Sequence, residues 1–533
     1  MRNIVQLHLK RLFRSGFFLA AVLLTLGCFL GFSLIGIESG GVTFVSYIIK
    51  FDYYAYFEVV LTVIAFCTAV YFFRQESMLE VICFYPKAKV LWGKMLATLG
   101  GSLSLCVIPA AFVLIHAAME QTELSFTVAA LLYAVIRWAL IILTAQSTAF
   151  LAAYLIRSPA VYALSLAACV LFTYFNNTIL TWLFDFDETG EKLSNFFSMQ
   201  QPFMTGTDVE YVGARLDLFL WSKVLYVALF TAVVFALIWV LCGRHKKLPA
   251  VLLAVLLLAQ AGSISAWFML YPRHYAYEEK LFPTAAAEQA ASIRFYRGSL
   301  ELSEFSQFAC EVELLPAGAQ TVTFRLDAGL DVTEITGDGQ ALPYTREGEY
   351  VTVELPQGAS DPVRLSFRYA GRIYYVSNIG SVNIYSSLNG AALPPLLAFL
   401  PVIDGDDTEK SYQLDVQAHN TVVSNLDVRE TGRHRYELTG EARTCCIFSG
   451  YFSEYEENGI TFYRAKYNQI TDYPETYARS LTYRYFDAFS QEYVEGPYQQ
   501  PEKVFLIYSR YGIWGLPIVY DGYVLMNYGD PSS

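Results

Sequence analysis

Apolar residues run in seven long stretches through the first half of the chain and alternate with polar residues through the second. The stretches 17–37, 55–73, 95–118, 126–156, 160–184, 221–242 and 249–271 reach the roughly 20 residues that an α-helix needs to cross a bilayer. They predict a membrane protein, an all-α transmembrane bundle of six spans plus a seventh. The pattern changes at Pro272. After a stretch at 273–290, with helical character around 285–288, short alternating runs are bounded by Gly, Pro and Asp. Runs at 308–315, 321–327, 350–355, 363–369, 412–417, 435–438, 460–467 and 504–508 predict a mostly antiparallel β-domain, as in a sandwich. Thr336-Gly337-Asp338-Gly339 reads as a turn. One helix is expected near the C-terminus, at 475–493, with Tyr477, Leu481, Tyr485, Phe486 and Phe489 at helical spacing.

Composition sharpens this division. Hydrophobic residues make up 55% of the 533 residues and charged residues 16%, against roughly 45–50% and about 25% in a typical soluble chain. Residues 1–271 carry 17 basic and 14 acidic side chains; residues 272–533 carry 20 and 35. An acidic second half repels phosphates, which excludes a nucleic-acid partner. The first apolar run follows Lys10, Arg11 and Arg14 in the manner of a signal peptide. It continues past residue 30 without a small-residue cleavage site, and Thr25-Leu26-Gly27-Cys28 fits a lipidation site poorly.

Loop charges set the orientation. With the N-terminus inside, the inner segments 1–16, 74–94, 157–159 and 243–248 hold twelve Lys and Arg and only Glu76 and Glu80. The outer loops 38–54, 119–125 and 185–220 hold three basic and eleven acidic residues. This asymmetry predicts a multi-pass protein of the cell membrane with a cytoplasmic N-terminus and residues 272–533 extracellular.

The inner segment after the second run reads Phe73-Arg74-Gln75-Glu76-Ser77-Met78-Leu79-Glu80-Val81. Phe84-Tyr85-Pro86-Lys87-Ala88-Lys89-Val90 follows, and then Lys94. With these residues, 1–242 resembles the membrane subunit (permease) of type-2 ABC exporters. The resemblance implies a short helix along the inner membrane face that docks on an ATPase, with Met78, Leu79 and Ile82 inward and Glu76 and Glu80 exposed. Arg74, Glu76, Glu80, Tyr85, Pro86, Lys87, Lys89 and Lys94 are the implied coupling residues. The alternative is an ordinary interfacial helix whose bases meet lipid headgroups. No G-x-x-x-x-G-K-[ST] occurs anywhere, so ATP would be bound by a separate ABC ATPase subunit. The resemblance also implies a second membrane subunit, a homodimer partner or a paralogue.

Two ionisable residues fall well inside the runs, Glu58 and Arg137. Either they form a substrate or interface pair, or Arg137 snorkels and the fourth span starts later than its apolar run; the second reading is the simpler. His116 reads as a polar cap.

In the second half, Asp331-Val332-Thr333-Glu334-Ile335 leads into Gly337-Asp338-Gly339, and Val363-Arg364-Leu365-Ser366-Phe367-Arg368-Tyr369-Ala370-Gly371 follows. Then come Pro401-Val402-Ile403-Asp404, Tyr412-Gln413-Leu414-Asp415-Val416, Val422-Val423-Ser424-Asn425 and Cys446-Ile447-Phe448-Ser449-Gly450-Tyr451-Phe452. This succession resembles the N-terminal β-domain of gluzincin aminopeptidases, over roughly 290–525. The domains are therefore 1–242 exporter-like, 243–271 a seventh span, 272–290 a linker, and 291–533 the aminopeptidase-like β-domain. That family's chemistry needs H-E-x-x-H, two His one turn apart for zinc and a Glu base. The six histidines, His8, His116, His245, His274, His419 and His434, include no i,i+4 pair. Gly515-Leu516-Pro517-Ile518-Val519-Tyr520-Asp521-Gly522 stands about where the family's substrate-amine loop falls, without a Glu. Either the sequence is truncated at Ser533 or the module serves binding or structure. No catalytic or metal residue is assigned and no cofactor is expected in this chain.

Three further features complete the inventory. Asp404-Gly405-Asp406-Asp407 with Glu409 could gather oxygen ligands for calcium, but reads more simply as a solvated acidic turn. Cys310, Cys445 and Cys446 make no disulfide framework, because a vicinal pair in a strand points to opposite faces. The Tyr- and Phe-rich 451–528 reads as core and interface, or as the lining of a peptide or lipid groove. The functions in play are an exporter subunit with a non-catalytic outer domain for substrate capture or partner contact, a membrane-anchored zinc aminopeptidase lacking its catalytic half, and a membrane-anchored peptide-binding or sensor module.

Overall fold

The computed structural model describes residues 2–38, 54–75, 87–173, 175–176, 179, 188–199, 212–242, 247–275, 291–356, 362–377, 382–457, 459–467, 501–506, 518–520 and 522–526. The chain forms two compact units. One comprises Met1–Ser39, Thr43–Thr205 and Leu218–Tyr271; the other Gly40–Val42, Gly206–Asp217 and Pro272–Ser533.

The helical unit begins with α1 (Arg2–Phe13), which buries Ile4, His8 and Leu12 on one face. The i, i+4, i+8 spacing of these three is an amphipathic stripe. A 62° bend leads into α2 (Gly16–Glu38). Ser15 makes the corner: its hydroxyl donates to the Leu12 carbonyl and accepts from the Phe18 amide, as an N-cap does. Next come α3 (Tyr54–Arg74), α4 (Lys87–Leu103), a 3-10 turn at Ser104–Cys106, and α5 (Val107–Glu120). The turn falls where Pro109 withholds an amide and its ring crowds the carbonyl four residues back. The run at 95–118 is thus not one uniform helix, and the helix carrying it starts at Lys87.

Helix α6 (Leu124–Leu155) is continuous over 32 residues. The run at 160–184 opens as a 3-10 turn, Pro159–Ala163, and continues as α7 (Leu164–Phe172), which stops where Thr173 turns extended. There the Met199 amide and the Asn176 side chain take over the Phe172 and Leu171 carbonyls. Helices α8 (Glu188–Phe197), α9 (Leu218–Cys242) and α10 (Lys247–Met269) complete the unit. Helical residues therefore occur within all seven apolar runs. Among the described residues, four helical segments are long and apolar enough to cross a membrane: Ala88–Glu120, Leu124–Leu155, Leu218–Cys242 and Lys247–Met269. The bent pair Arg2–Phe13 and Gly16–Gly31 would make a fifth.

The second unit is mostly β. Its eight-stranded sheet runs in the order Asp427–Gly432, Arg435–Ala442, Lys410–Gln417, Ser292–Glu301, Ser306–Leu315, Val363–Gly371, Leu330–Gly337, Gln340–Ala341. Period-two burial is plain in its middle, where Phe308, Cys310, Val312 and Leu314 face in while their neighbours do not. Facing rings stack across strands, Phe308 on Tyr369 and Tyr296 on Tyr412, each at 5.1 Å. Asp338 and Gly339, both with positive φ, close the tight turn between Leu330–Gly337 and Gln340–Ala341 that the sequence predicts.

A three-stranded sheet joins Thr321–Arg325, Tyr350–Glu354 and Tyr344–Glu347, and a six-stranded one starts at Arg273–Tyr275 and ends at Thr421–Ser424. Arg273–Tyr275, expected as linker, is instead an edge strand, paired parallel with Tyr374–Ser377. The last sheet, Phe452–Glu457, Ile460–Ala465, Lys503–Leu506, Tyr523–Met526 and Ile518–Tyr520, is mixed, with two parallel pairings. The helix expected at 475–493 lies outside the described residues, as does the helical character at 285–288.

Residues 212–217, expected within the membrane block, belong to the β-unit. Arg215 is buried with its guanidinium 4.4 Å from the Tyr385 ring, and the Asn389 side chain donates to the Ala214 carbonyl at 2.9 Å. Gly390 makes room: a Cβ there would lie 2.5 Å from the Ser449 carbonyl and 3.1 Å from a Val212 methyl.

Candidate functional site

The polar interior of the helical unit is built from single residues on otherwise apolar helices. Glu58 on α3 is fully buried and Arg137 on α6 is 5% exposed; the Arg137 Nε donates to a Glu58 carboxylate oxygen. The snorkelling reading is corrected. Arg137 sits in the middle of an unbroken helix that starts at Leu124, two residues before the apolar run rather than later, and its charge is met inside the unit. A charge buried among apolar side chains is tolerated when an opposite charge meets it, and this contact supplies one.

Sequence reasoning missed a third charge, Lys223 on α9, 1% exposed. Its ammonium donates to the Asn195 carbonyl at 2.9 Å and to the Ser198 carbonyl, at the end of α8, where a cation complements the helix dipole. Around it the Tyr226 hydroxyl donates to the Phe196 carbonyl, and Phe196 packs on Tyr226 and Trp267. Charges from α3, α6 and α9 are thus all buried within the helical unit. The signal was available: a lone Lys three residues into an apolar run. Hydroxyl and amide contacts also link α6 to its neighbours, Gln146 to Ser102 and Ser147 to Thr231. His116, expected as a cap, is buried with its Nδ1 3.9 Å from Glu120.

The inner-segment residues divide into two groups. Arg74 donates to the carbonyls of Ser158, at 3.1 Å, and Ile156, just beyond the end of α6. Lys94 donates to the Gln75 carbonyl at 2.6 Å, just beyond the end of α3. Lys89 is exposed. Glu76, Glu80, Tyr85 and Pro86 lie outside the described residues, as does the side chain of Lys87. Sequence reasoning also missed α1, whose Ile4 and Leu12 pack so closely on α4 that a Cβ at Gly93 or Gly101 would meet them at 2.4 and 2.2 Å.

In the β-unit, the acidic turn at 404–409 is answered from within the protein. Asp404 pairs with Arg325 at 2.7 Å, and Asp406 accepts from the Ile293 amide at 2.8 Å and the Thr408 hydroxyl at 2.6 Å. Lys410 lies 3.5 Å from Asp406, and burial pushes its ammonium below the usual lysine range while Asp406 opposes the shift. Arg325, Asp404, Asp406 and Lys410, with Tyr296 and Tyr412, line a recess of about 490 Å³. The solvated-turn reading holds for Asp407 and Glu409, which are exposed, and is corrected for Asp404 and Asp406, which are paired internally.

His419 and His434, fifteen residues apart, stack with ring centroids 4.6 Å apart. Among the described residues no three His, Cys, Asp or Glu side chains gather to hold a metal. Cys445 and Cys446 precede the strand Ile447–Gly450 rather than lying in it, so both are buried; with Cys310 they are free thiols.

No family model matches the sequence, and no curated protein does. Solved structures similar to it include an M1 zinc metallopeptidase from Deinococcus radiodurans, at 15% identity and TM-score 0.36, covering 47% of this chain and 63% of that one. Native leukotriene A4 hydrolase from Saccharomyces cerevisiae is similar at 11% identity and TM-score 0.32, covering 47% and 44%. The chain thus spans less than two thirds of these proteins' length.

Proposed function

We propose that this chain is the membrane (permease) subunit of an ABC-type exporter, with six spans plus a seventh, a cytoplasmic N-terminus and residues 272–533 outside. On this reading a separate ATPase supplies the work, a second membrane subunit completes the pathway, and the β-unit is a non-catalytic outer domain for substrate capture or partner contact. One observation carries the reading. Arg74 and Lys94 flank the 76–86 segment, and each is spent on backbone carbonyls just beyond a helix end. A segment that takes up a push from an ATPase has to be held at both ends, and these are the braces that would pass the push to α3, α4 and α6. The buried Glu58–Arg137 pair, linking α3 to α6, supports the same reading by tying together the helices that would move.

The test is a coupled assay on the full chain co-expressed with a candidate ABC ATPase. Reversing Glu76 and Glu80 to Lys is expected to uncouple ATP hydrolysis from export while leaving membrane insertion intact. Co-purification and coupling unchanged by the double reversal would count against this segment as the contact.

A second reading, a membrane-anchored zinc aminopeptidase, has one specific support. The last sheet, Phe452–Glu457 and the strands after it, holds two of the four parallel strand pairings among the described residues, as the start of a further α/β domain would. Stoichiometric zinc and metal-dependent release of N-terminal residues from peptides would put this reading first.

A further inference from the structure

We propose that the elbow between α1 and α2 binds the phosphate headgroup of an anionic phospholipid in the inner leaflet; this rests on the membrane-spanning reading of the helical unit. A recess of about 390 Å³ opens at the elbow, with Lys10, Arg11 and Arg14 on one side and Tyr71, Phe72 and Gln75, from the end of α3, on the other. The neighbouring bases Arg74 and Lys94 are spent on backbone carbonyls. Lys10, Arg11 and Arg14 are not: among the described residues none of the three meets a carboxylate or a carbonyl. Three unspent cations converge on one cavity at the start of the 23-residue α2. An anion with several acceptor oxygens is the ligand such a cavity fits.

The surroundings say that the anion carries an apolar tail. From the elbow, α2 presents Phe17, Leu19, Leu23 and Leu24 as exposed apolar side chains, and Phe17 packs on Tyr71 at 5.0 Å. A free phosphate would make no use of that wall, whereas acyl chains would lie along it. The site also falls where the basic N-terminal segment gives way to the apolar run, the boundary at which headgroups sit.

The test uses the full chain, purified from phosphatidylcholine vesicles doped with phosphatidylglycerol, with the retained lipid quantified by mass spectrometry. Phosphatidylglycerol is expected to be enriched over its share of the vesicle and not to be displaced by inorganic phosphate. Lys10→Gln and Arg14→Gln are each expected to weaken retention roughly fivefold. Each removes one of twelve inner charges, so the orientation should hold. Arg14→Lys, which keeps the charge, is expected to retain the lipid. Displacement by inorganic phosphate would make this a free-phosphate site and overturn the proposal. So would undiminished retention in both Gln variants, or a loss in Arg14→Lys as large as in Arg14→Gln. The readout involves no ATPase, so failure of the exporter reading and failure of this site are separable.

Discussion

At the scale of single residues, the helical unit is governed by a few buried charges. Removing one partner of the Glu58–Arg137 pair leaves the other uncompensated, which costs about 3–5 kcal/mol. Arg137→Met and Glu58→Leu should therefore each destabilise the protein strongly. The double variant should recover much of the loss. Thermal unfolding in a mild detergent checks this, and additive losses would show that the two do not depend on each other.

In the β-unit, His419 has its pKa pushed below the usual histidine range by burial, with His434 and Arg433 adding like-charge repulsion. The folded state thus binds fewer protons than the unfolded one between the lowered value and about 6.5. Stability contributed by neutral His419 is complete above that window and falls as pH drops through it. His419→Gln should flatten the dependence of the β-unit's melting temperature on pH between about 7 and the lowered value. An unchanged acid slope would place the loss elsewhere.

At the scale of elements, two glycines decide which segments can touch. Gly93 and Gly101 lie eight residues apart on one side of α4 and let α1 settle its Ile4–His8–Leu12 face there. Gly101→Val would put methyl groups where the Leu12 side chain already is, an overpacking cost of about 1–3 kcal/mol. The expected result is a lower melting temperature and faster proteolysis of residues 1–15; an unchanged cleavage rate would mean that α1 is held by other contacts.

In the β-unit, the equivalent position is Gly390 beneath Val212. Gly390→Val should displace segment 212–217 and expose Arg215, read as new tryptic cleavage at that arginine. This segment matters because Asp217 is followed directly by Leu218, the first residue of α9. Residues 212–217 are therefore a built part of the β-unit.

At the scale of the whole molecule, the charge asymmetry of the loops makes an orientation testable. A cysteine at Gln121 or Thr205 should react with an impermeant thiol reagent added to intact cells, and one at Ser77 or Lys246 should not. Labelling of Lys246→Cys from outside would overturn the seven-span arrangement. Among the described residues, four segments meet the length and apolarity of a span on their own. Seven therefore rests on α2, α3 and the broken run at 159–172 as well, and this experiment addresses their sum.

The sequence by itself determined the two-part division of the chain, the helices in the apolar runs and the alternating strands, because these depend on local period and on burial of one face. All eight runs named as strands overlap strands in the structure, and the Asp338-Gly339 turn follows from residues that tolerate positive φ. Only the tertiary structure decided which partners those elements take. Glu58 and Arg137 are 79 residues apart, and nothing in their local pattern says that one carboxylate answers one guanidinium. Lys223 stands out in its apolar run, but its partners do not, because they are backbone carbonyls, which carry no sequence signature. Asp404 in the acidic turn looked solvated because Arg325 comes from a strand 79 residues upstream of it. Residues 212–217 looked like part of the membrane block because connectivity is local, while their burial depends on Tyr385, Asn389 and Gly390 far along the chain. Periodicity reports which face of an element is buried; what it is buried against depends on contacts between residues far apart in sequence, and those exist only once the chain has closed on itself.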